Sequence, residues 1–224
     1  MKAVARVLAL GFVELVVFGV VLFALAGTLD FWQAWIFLAV FALSTWIPAI
    51  FLQRGDPAAH ERRKRAGPVA ETRMVQKVLI AGWYASLAAM VIVSGLDHRF
   101  HWSTVPAAIC VAGDVLVVLG LGVTSLVVIQ NSFAASTVQV ESEQKLVSTG
   151  LYGLVRHPMY TGNLLTIVGF PLALGSYWGL VPVVSGLIAL IVRIRDEEKL
   201  LVAELDGYRE YTEKARYRLV PYMW

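Results

Sequence analysis

The sequence predicts an all-α polytopic membrane protein with about six hydrophobic helices, the last two a short hairpin, and a cytoplasmic C-terminal amphipathic helix. Hydrophobic residues make up 58% of the 224-residue chain against 16% charged, and the mean hydropathy is +0.69, a balance outside the range of water-soluble domains. Four stretches reach the roughly 20 apolar residues that a helix needs to cross about 30 Å of hydrocarbon. The basic residues are segregated to one set of connections, as the positive-inside rule requires.

The four long stretches run from Val7 to Ala26, Trp32 to Leu52, Val78 to Leu96 and Val105 to Ile129. The first is too long for a secretory signal core and no small-residue cleavage site follows it, so it reads as a retained anchor. Two shorter runs, Tyr160 to Leu174 and Tyr177 to Val192, are joined by the turn-like Gly175-Ser176. They form a hairpin that either barely spans or is partly re-entrant. Of the 19 Lys and Arg residues, Arg99 alone falls on the far side of this layout, which puts both termini in the cytoplasm. The chain, 1–224, is read as a single membrane domain, with a four-helix bundle over 1–129 and a loop, hairpin and C-terminal helix over 130–224.

Several residues have ordinary membrane roles. Trp32, Trp35, Trp102, Trp178 and Trp224 lie near predicted span ends as interfacial aromatics, and the basic run from His60 to Arg65 reads as an orientation signal that touches anionic lipid. Glu14 and Asp114 fall inside spans one and four, where acids cost free energy and a pairing role stands beside a catalytic one. The lone cysteine, Cys110, allows no intrachain disulfide, and no metal site is expected. The net charge of +3 is accounted for by orientation in the membrane, so nucleic acid is not an expected partner.

Polar residues concentrate in two places beyond the fourth span, Gln130 to Tyr160 and Arg193 to Trp224. A polar connection of about 30 residues exceeds what packing requires and points to function. In it, Gly150 and Gly153 allow the backbone to approach a ligand closely, and Pro158 suits the first turn of the following helix. The open amides of that turn attract an anionic group, and His157 adds a switchable donor. In the second region, helical spacing puts Arg193 and Glu197 on one face, one turn apart. There a carboxylate can hold a ligand ammonium and an arginine an anionic acceptor, although a plain surface ion pair has the same spacing. Leu200, Leu201, Leu205, Tyr208 and Tyr211 form an apolar stripe suited to an amphipathic helix folded back as a wall for the loop.

Leu146-Val147, Gly150, Tyr152, the run Arg156-His-Pro-Met-Tyr160, the acids Glu197-Glu198, Tyr208, Tyr211 and Val220-Pro221 together resemble the isoprenylcysteine carboxyl methyltransferase family, integral membrane enzymes related to phospholipid N-methyltransferases. The resemblance covers residues 131–221. It implies binding of S-adenosylmethionine, with S-adenosylhomocysteine as product, by Gln139, Gln144, Lys145, Leu146, Val147, Tyr152, His157, Pro158, Met159, Tyr160 and Glu197. It implies catalytic roles for Arg193 and Glu197, with Arg193 also contacting the acceptor, and leaves open whether Glu197 or Glu198 meets the cofactor.

The sulfonium is an activated donor, so positioning and exclusion of water would carry such a reaction. No dedicated base is apparent, which favours a carboxylate acceptor over an amine or thiol. The partners implied are a lipophilic small-molecule or prenylated acceptor arriving from the bilayer, and membrane lipid. Two other readings remain open: a nicotinamide-dependent membrane reductase with a similar C-terminal layout, and a non-catalytic carrier or subunit. A carrier would place its polar groups near the bilayer midplane, whereas this chain gathers them at one surface.

Overall fold

The computed structural model describes residues 2–55, 71, 73–131 and 146–224. The described residues form helices α1 (Lys2–Ala26), α2 (Trp32–Gly55), α3 (Met74–Phe100), α4 (Ala107–Gln130), a single turn α5 (Leu151–Leu154), α6 (Pro158–Ala173), α7 (Val181–Glu204) and the short α8 (Tyr208–Lys214). A 3₁₀ turn, Trp178–Leu180, leads into α7. Five of these elements, α1 to α4 and Trp178–Glu204, are long and apolar enough to cross a membrane, and the chain is an integral multi-pass membrane protein. In hydrocarbon the backbone must satisfy itself, which is why these segments are helical.

The hairpin crosses the bundle. Helix α6 has only 16 residues, but it runs antiparallel against α4 along its whole length. Its closing turn reaches the far end, where Ser176 Oγ donates to Asp97 Oδ2 and the Tyr177 amide donates to Ser103 Oγ at 3.1 Å. Asp97 also accepts from the Ser103 amide and hydroxyl, each at 2.7 Å, so one buried carboxylate ties the hairpin turn to the end of α3. Arg99 lies at this far end beside Gly27, while Arg54, Arg73, Arg156 and Arg218 lie at the opposite, basic end.

Small residues set the α4–α6 contact. A Cβ on Gly162 would stand 2.5 Å from Thr124 Oγ1 and 2.6 Å from the Gly120 carbonyl, and one on Gly113 would stand 2.3 Å from the Ala173 amide. Glycine lets two backbones approach where the apolar effect between membrane helices is weak. Around this seam lies a core of Leu22, Phe31, Phe37, Met90, Val117 and Phe170, with the Phe37 and Phe170 rings edge-to-face at 4.7 Å between centroids.

Two sequence expectations change in detail. The expected amphipathic helix carrying Leu200 to Tyr211 is divided: Leu200 and Leu201 end α7, which is continuous from Val181 to Glu204 and carries Arg193 and Glu197, while Tyr208 and Tyr211 belong to α8. Nothing between Arg193 and Glu204 breaks a helix; the stop comes at Leu205-Asp-Gly207, with Gly207 at φ +77°. Glu14 is exposed on the outer face of α1, not buried, whereas Asp114 is buried with Oδ1 unpaired among the described residues. Trp224 packs beneath the Arg218 guanidinium, 5.3 Å from its ring centroid, and against the cluster of Leu190, Ile194 and Leu219. The basic run from His60 to Arg65 lies outside the described residues.

The α4–α6 seam makes a direct prediction. Gly162→Ala should destabilise the detergent-purified protein by about 1–3 kcal/mol, the usual range for overpacking. Gly122→Ala, where a Cβ meets nothing within 4 Å, should leave the thermal unfolding midpoint unchanged.

Candidate functional site

The site lies at the basic end, where the segment before α6, the second half of α7, α8 and the tail converge. Gly150 has φ +61° and ψ −127°, a conformation open to glycine. The close approach expected there is made by the Gln130 side chain, which accepts from the Leu151 amide at 3.2 Å and donates to the Thr149 carbonyl at 3.3 Å. Gly153 has no such demand, since a Cβ there meets only the Ser148 carbonyl at 3.6 Å. Beyond the turn, the Arg156 and His157 amides donate to the Tyr217 and Arg218 carbonyls at 2.8 and 2.9 Å, and Thr161 Oγ1 donates to the Leu219 carbonyl at 2.7 Å. The tail is thereby stitched across the start of α6.

Pro158 takes the first turn of α6, as expected, and is fully buried. It turns Met159 and Tyr160 to different neighbours. Met159 packs against Leu52 and Val128, while Tyr160 faces α7. There the Tyr160 hydroxyl donates to Glu197 Oε2 at 2.6 Å and accepts from Arg193 Nε at 3.0 Å. The expected Arg193–Glu197 neighbours are therefore joined through a phenol. Arg193 is buried, and it donates further through Nη1 to Gln76 at 2.7 Å and through Nη2 to Glu71 at 2.9 Å. Asp196 extends this knot by accepting from Arg73 and Gln76.

Glu198, adjacent in sequence, has a separate set of partners. Its carboxylate meets Arg156 Nη1 at 3.0 Å, Arg218 Nε at 2.8 Å and His157 Nε2 at 3.3 Å. His157 is buried in this clamp, and its ring stacks on Tyr160 at 5.6 Å between centroids. Glu198 is thus occupied by the tail and the loop. Glu197 has Tyr160 as its hydrogen-bond partner among the described residues, so it is the carboxylate with capacity left for a ligand cation.

A third group closes the site. Tyr208 and Tyr211 are buried with Leu146, Tyr152, Leu201 and Leu205 around them. The Tyr211 hydroxyl donates to the Tyr152 carbonyl at 2.7 Å, and Asn131 Nδ2 donates to the Tyr152 hydroxyl at 3.2 Å. Burial, foremost, pushes all three phenols above their ordinary range, so they stay protonated donors at neutral pH. Among the described residues, the Tyr208 hydroxyl and Arg156 Nε are buried without a hydrogen-bond partner. Two orphaned donors beside Glu197 and Glu198 fit a ligand rich in acceptor atoms, because an unmet buried polar group costs about 1–3 kcal/mol.

Leu146, Tyr152, His157, Pro158, Tyr160, Arg193 and Glu197 thus gather around the loop, the α7 face and α8, while Met159 packs on Leu52 and Val128 and Val147 is half-buried with no side-chain hydrogen bond among the described residues. Gln139, Gln144 and Lys145 lie outside the described residues. The sequence reading missed Glu71 and Gln76, which lie before the predicted third span. The available signal was Arg193 itself, since a guanidinium this deep in an apolar helix needs a carboxylate from elsewhere in the chain. It also missed Arg218 and the orphaned Tyr208 hydroxyl, which adjacency in the fold alone creates. Among the described residues no cluster of His, Cys, Asp or Glu could hold a metal.

The arrangement coincides with a family match. Residues 108–207 match the phospholipid methyltransferase family model, so the resemblance to membrane methyltransferases holds over α4 to the end of α7. An alignment 92 positions long, covering 39% of this chain, is 32% identical to the Delta(14)-sterol reductase of Mus musculus, and it spans only 22% of that protein's length. The solved structure of the eukaryotic intramembrane Ras methyltransferase, isoprenylcysteine carboxyl methyltransferase, aligns over 92% of this chain and 82% of its own, at 15% identity and a TM-score of 0.48.

The clamp makes a prediction separate from activity. Glu198→Ala leaves Arg156 and Arg218 without their carboxylate, and should cost about 3–5 kcal/mol of stability, as removal of one member of a buried ion pair does. Glu197→Gln, which keeps an acceptor for the Tyr160 hydroxyl, should cost less than about 1 kcal/mol by the same thermal measurement.

Proposed function

We propose that this chain is an S-adenosylmethionine-dependent methyltransferase acting at the cytoplasmic membrane interface on a lipophilic acceptor. The observation that carries the reading is the coincidence of the phospholipid methyltransferase match over residues 108–207 with a buried site that, among the described residues, has a carboxylate with capacity left, Glu197, and unmet donors at Tyr208 and Arg156. When bound, S-adenosylmethionine supplies a sulfonium methyl, whose bond to sulfur breaks as the acceptor's lone pair forms the new bond. In this reading Glu197 holds the ligand ammonium, Tyr208 and Arg156 meet its acceptor atoms, and Tyr152 and Leu146 wall it from water. The basic end faces the cytoplasm by the positive-inside rule, with both termini on that side.

The charge around Arg193 bears on the acceptor. A carboxylate acceptor, expected from the sequence, would meet a guanidinium already paired with Glu71, and would stand near Glu197 as well. Like charges at that spacing oppose one another. This favours the alternative of an amine acceptor of the phospholipid type, whose lone pair takes the methyl and whose proton leaves to solvent at the cytoplasmic face. Thiol S-methylation and isoprenylcysteine-type carboxyl methylation are the competing acceptor chemistries.

The short match to a sterol reductase gives a second reading, a nicotinamide-dependent reductase. Calorimetry on the purified protein separates the two. S-adenosylhomocysteine should bind in the micromolar range. Glu197→Gln should weaken it at least tenfold, about 1.4 kcal/mol, and Tyr208→Phe by about three- to tenfold while leaving the unliganded protein as stable or more so. No binding of S-adenosylhomocysteine beside clear binding of a reduced nicotinamide dinucleotide would favour the reductase.

A further inference from the structure

The tail after α8 runs inward, toward the bilayer. Its Tyr217 and Arg218 carbonyls accept from the Arg156 and His157 amides, which precede α6, and its Leu219 carbonyl accepts from Thr161 Oγ1 in the first turn of α6. Helix α6 has 16 residues, about 24 Å of helix, with which to cross about 30 Å of hydrocarbon. Its first turn is needed for the crossing and does not stand clear in water, and Leu219 lies at the level of that turn. There Leu219 is buried against Leu190 and Ile194 of the membrane-crossing α7, with Val220 and Trp224 packed on the same cluster.

Beyond Leu219 the chain turns back on itself and points its apolar side chains outward. Tyr222 is 89% exposed and Met223 82%, with Pro221 exposed beside them. Tyr222 holds φ +67°, a left-handed conformation that a bulky residue rarely adopts. The backbone of the turn, in contrast, is closed inward. The Arg218, Leu219 and Val220 amides donate to the Trp224 backbone oxygen at 2.8, 3.0 and 3.3 Å, and the Met223 and Trp224 amides donate to the Val220 carbonyl at 3.2 Å. Pro221 has no amide hydrogen. Among the described residues, Tyr222 alone in this stretch has an amide without a backbone partner. Apolar side chains outside and satisfied amides inside reverse the pattern of a water-facing loop, and suit a medium that offers the backbone no hydrogen bonds.

We propose that the turn 221–223 is a lipid anchor seated in the interface of the cytoplasmic leaflet, and that it holds the tail closed over the candidate site. Tyr222 and Trp224 are amphipathic rings of the kind that occupy this layer. Arg216, which is exposed, and Arg218 at the base of the turn bring positive charge to anionic headgroups. Arg218 ties the anchor to the site, because it also holds Glu198 at 2.8 Å. The anchor is a property of the tail and the lipid surface, and stands whichever cofactor the site takes.

Spin labels at Met223→Cys, Glu210→Cys and Val184→Cys, each on a Cys110→Ala background in nanodiscs of mixed neutral and anionic phospholipid, test the placement. Glu210 is exposed on α8 and Val184 lies on the outer face of α7. Relaxation by a water-soluble nickel chelate should be at least threefold weaker at position 223 than at 210, approaching that at 184. Equal relaxation at 223 and 210 would overturn the anchor. Protection of 223 in native membranes that the nanodiscs fail to reproduce would overturn it too, since that result points to a protein partner. Met223→Asp, at a position too exposed to disturb packing, should speed hydrogen exchange at the Arg156 and His157 amides at least threefold in nanodiscs. The Tyr177 amide, bonded to Ser103 at the far end, should not change. Unaltered exchange at 156 and 157, or a rise that Tyr177 shares, would contradict the hold of the anchor on the site.

Discussion

A guanidinium placed inside a membrane-crossing helix must be compensated by the protein, because hydrocarbon offers it nothing. Arg193 sits in α7 among apolar neighbours, and the compensation comes from three directions: Glu71 and Gln76 before and at the start of α3, and Tyr160 from the first turn of α6. Those partners fix how α3, α6 and α7 meet at the basic end. The Tyr160 hydroxyl, fully engaged, then hands its proton-side bond to Glu197, so the carboxylate with capacity left for a ligand is positioned by the same knot that makes the buried charge tolerable.

Neighbouring acids on α7 diverge in role because successive helical residues point about 100° apart. Glu197 turns toward α6 and Tyr160. Glu198 turns toward the loop and the tail, where Arg156, His157 and Arg218 surround it. One acid is therefore left with hydrogen-bonding capacity beside Tyr160, and the other closes the loop and tail together. The backbone pairs of Arg156 and His157 with Tyr217 and Arg218 complete the closure. Asp97 performs the corresponding task at the far end, where it pins the hairpin turn.

Much of this was legible in the sequence, for physical reasons. Spans are marked by length and hydropathy, so α1 to α4 appear within a few residues of their bounds, and Pro158 marks the start of α6. The Arg156 to Tyr160 run and the Arg193–Glu197 spacing pointed to the region where the structure gathers them. What stayed hidden depends on contacts far apart in the chain. Nothing near Glu71 in sequence indicates that it pairs with Arg193, 122 residues away. The crossing of the short hairpin depends on Ser176 meeting Asp97, and Gly150 serves Gln130 packing where ligand contact was expected. The apolar stripe from Leu200 to Tyr211 suggested one helix, and the break inside it at Leu205-Asp-Gly207 comes from the left-handed Gly207.

Hydrogen exchange of the purified chain, with and without S-adenosylhomocysteine, tests the central claim most directly, since it locates binding as well as detecting it. The account predicts slowed exchange at the amides of 146–157 and 205–214 and no change at the far-end turns around Gly27, His101 and Gly175. Unchanged exchange in the first two segments, or protection there by a reduced nicotinamide dinucleotide in its place, would contradict it.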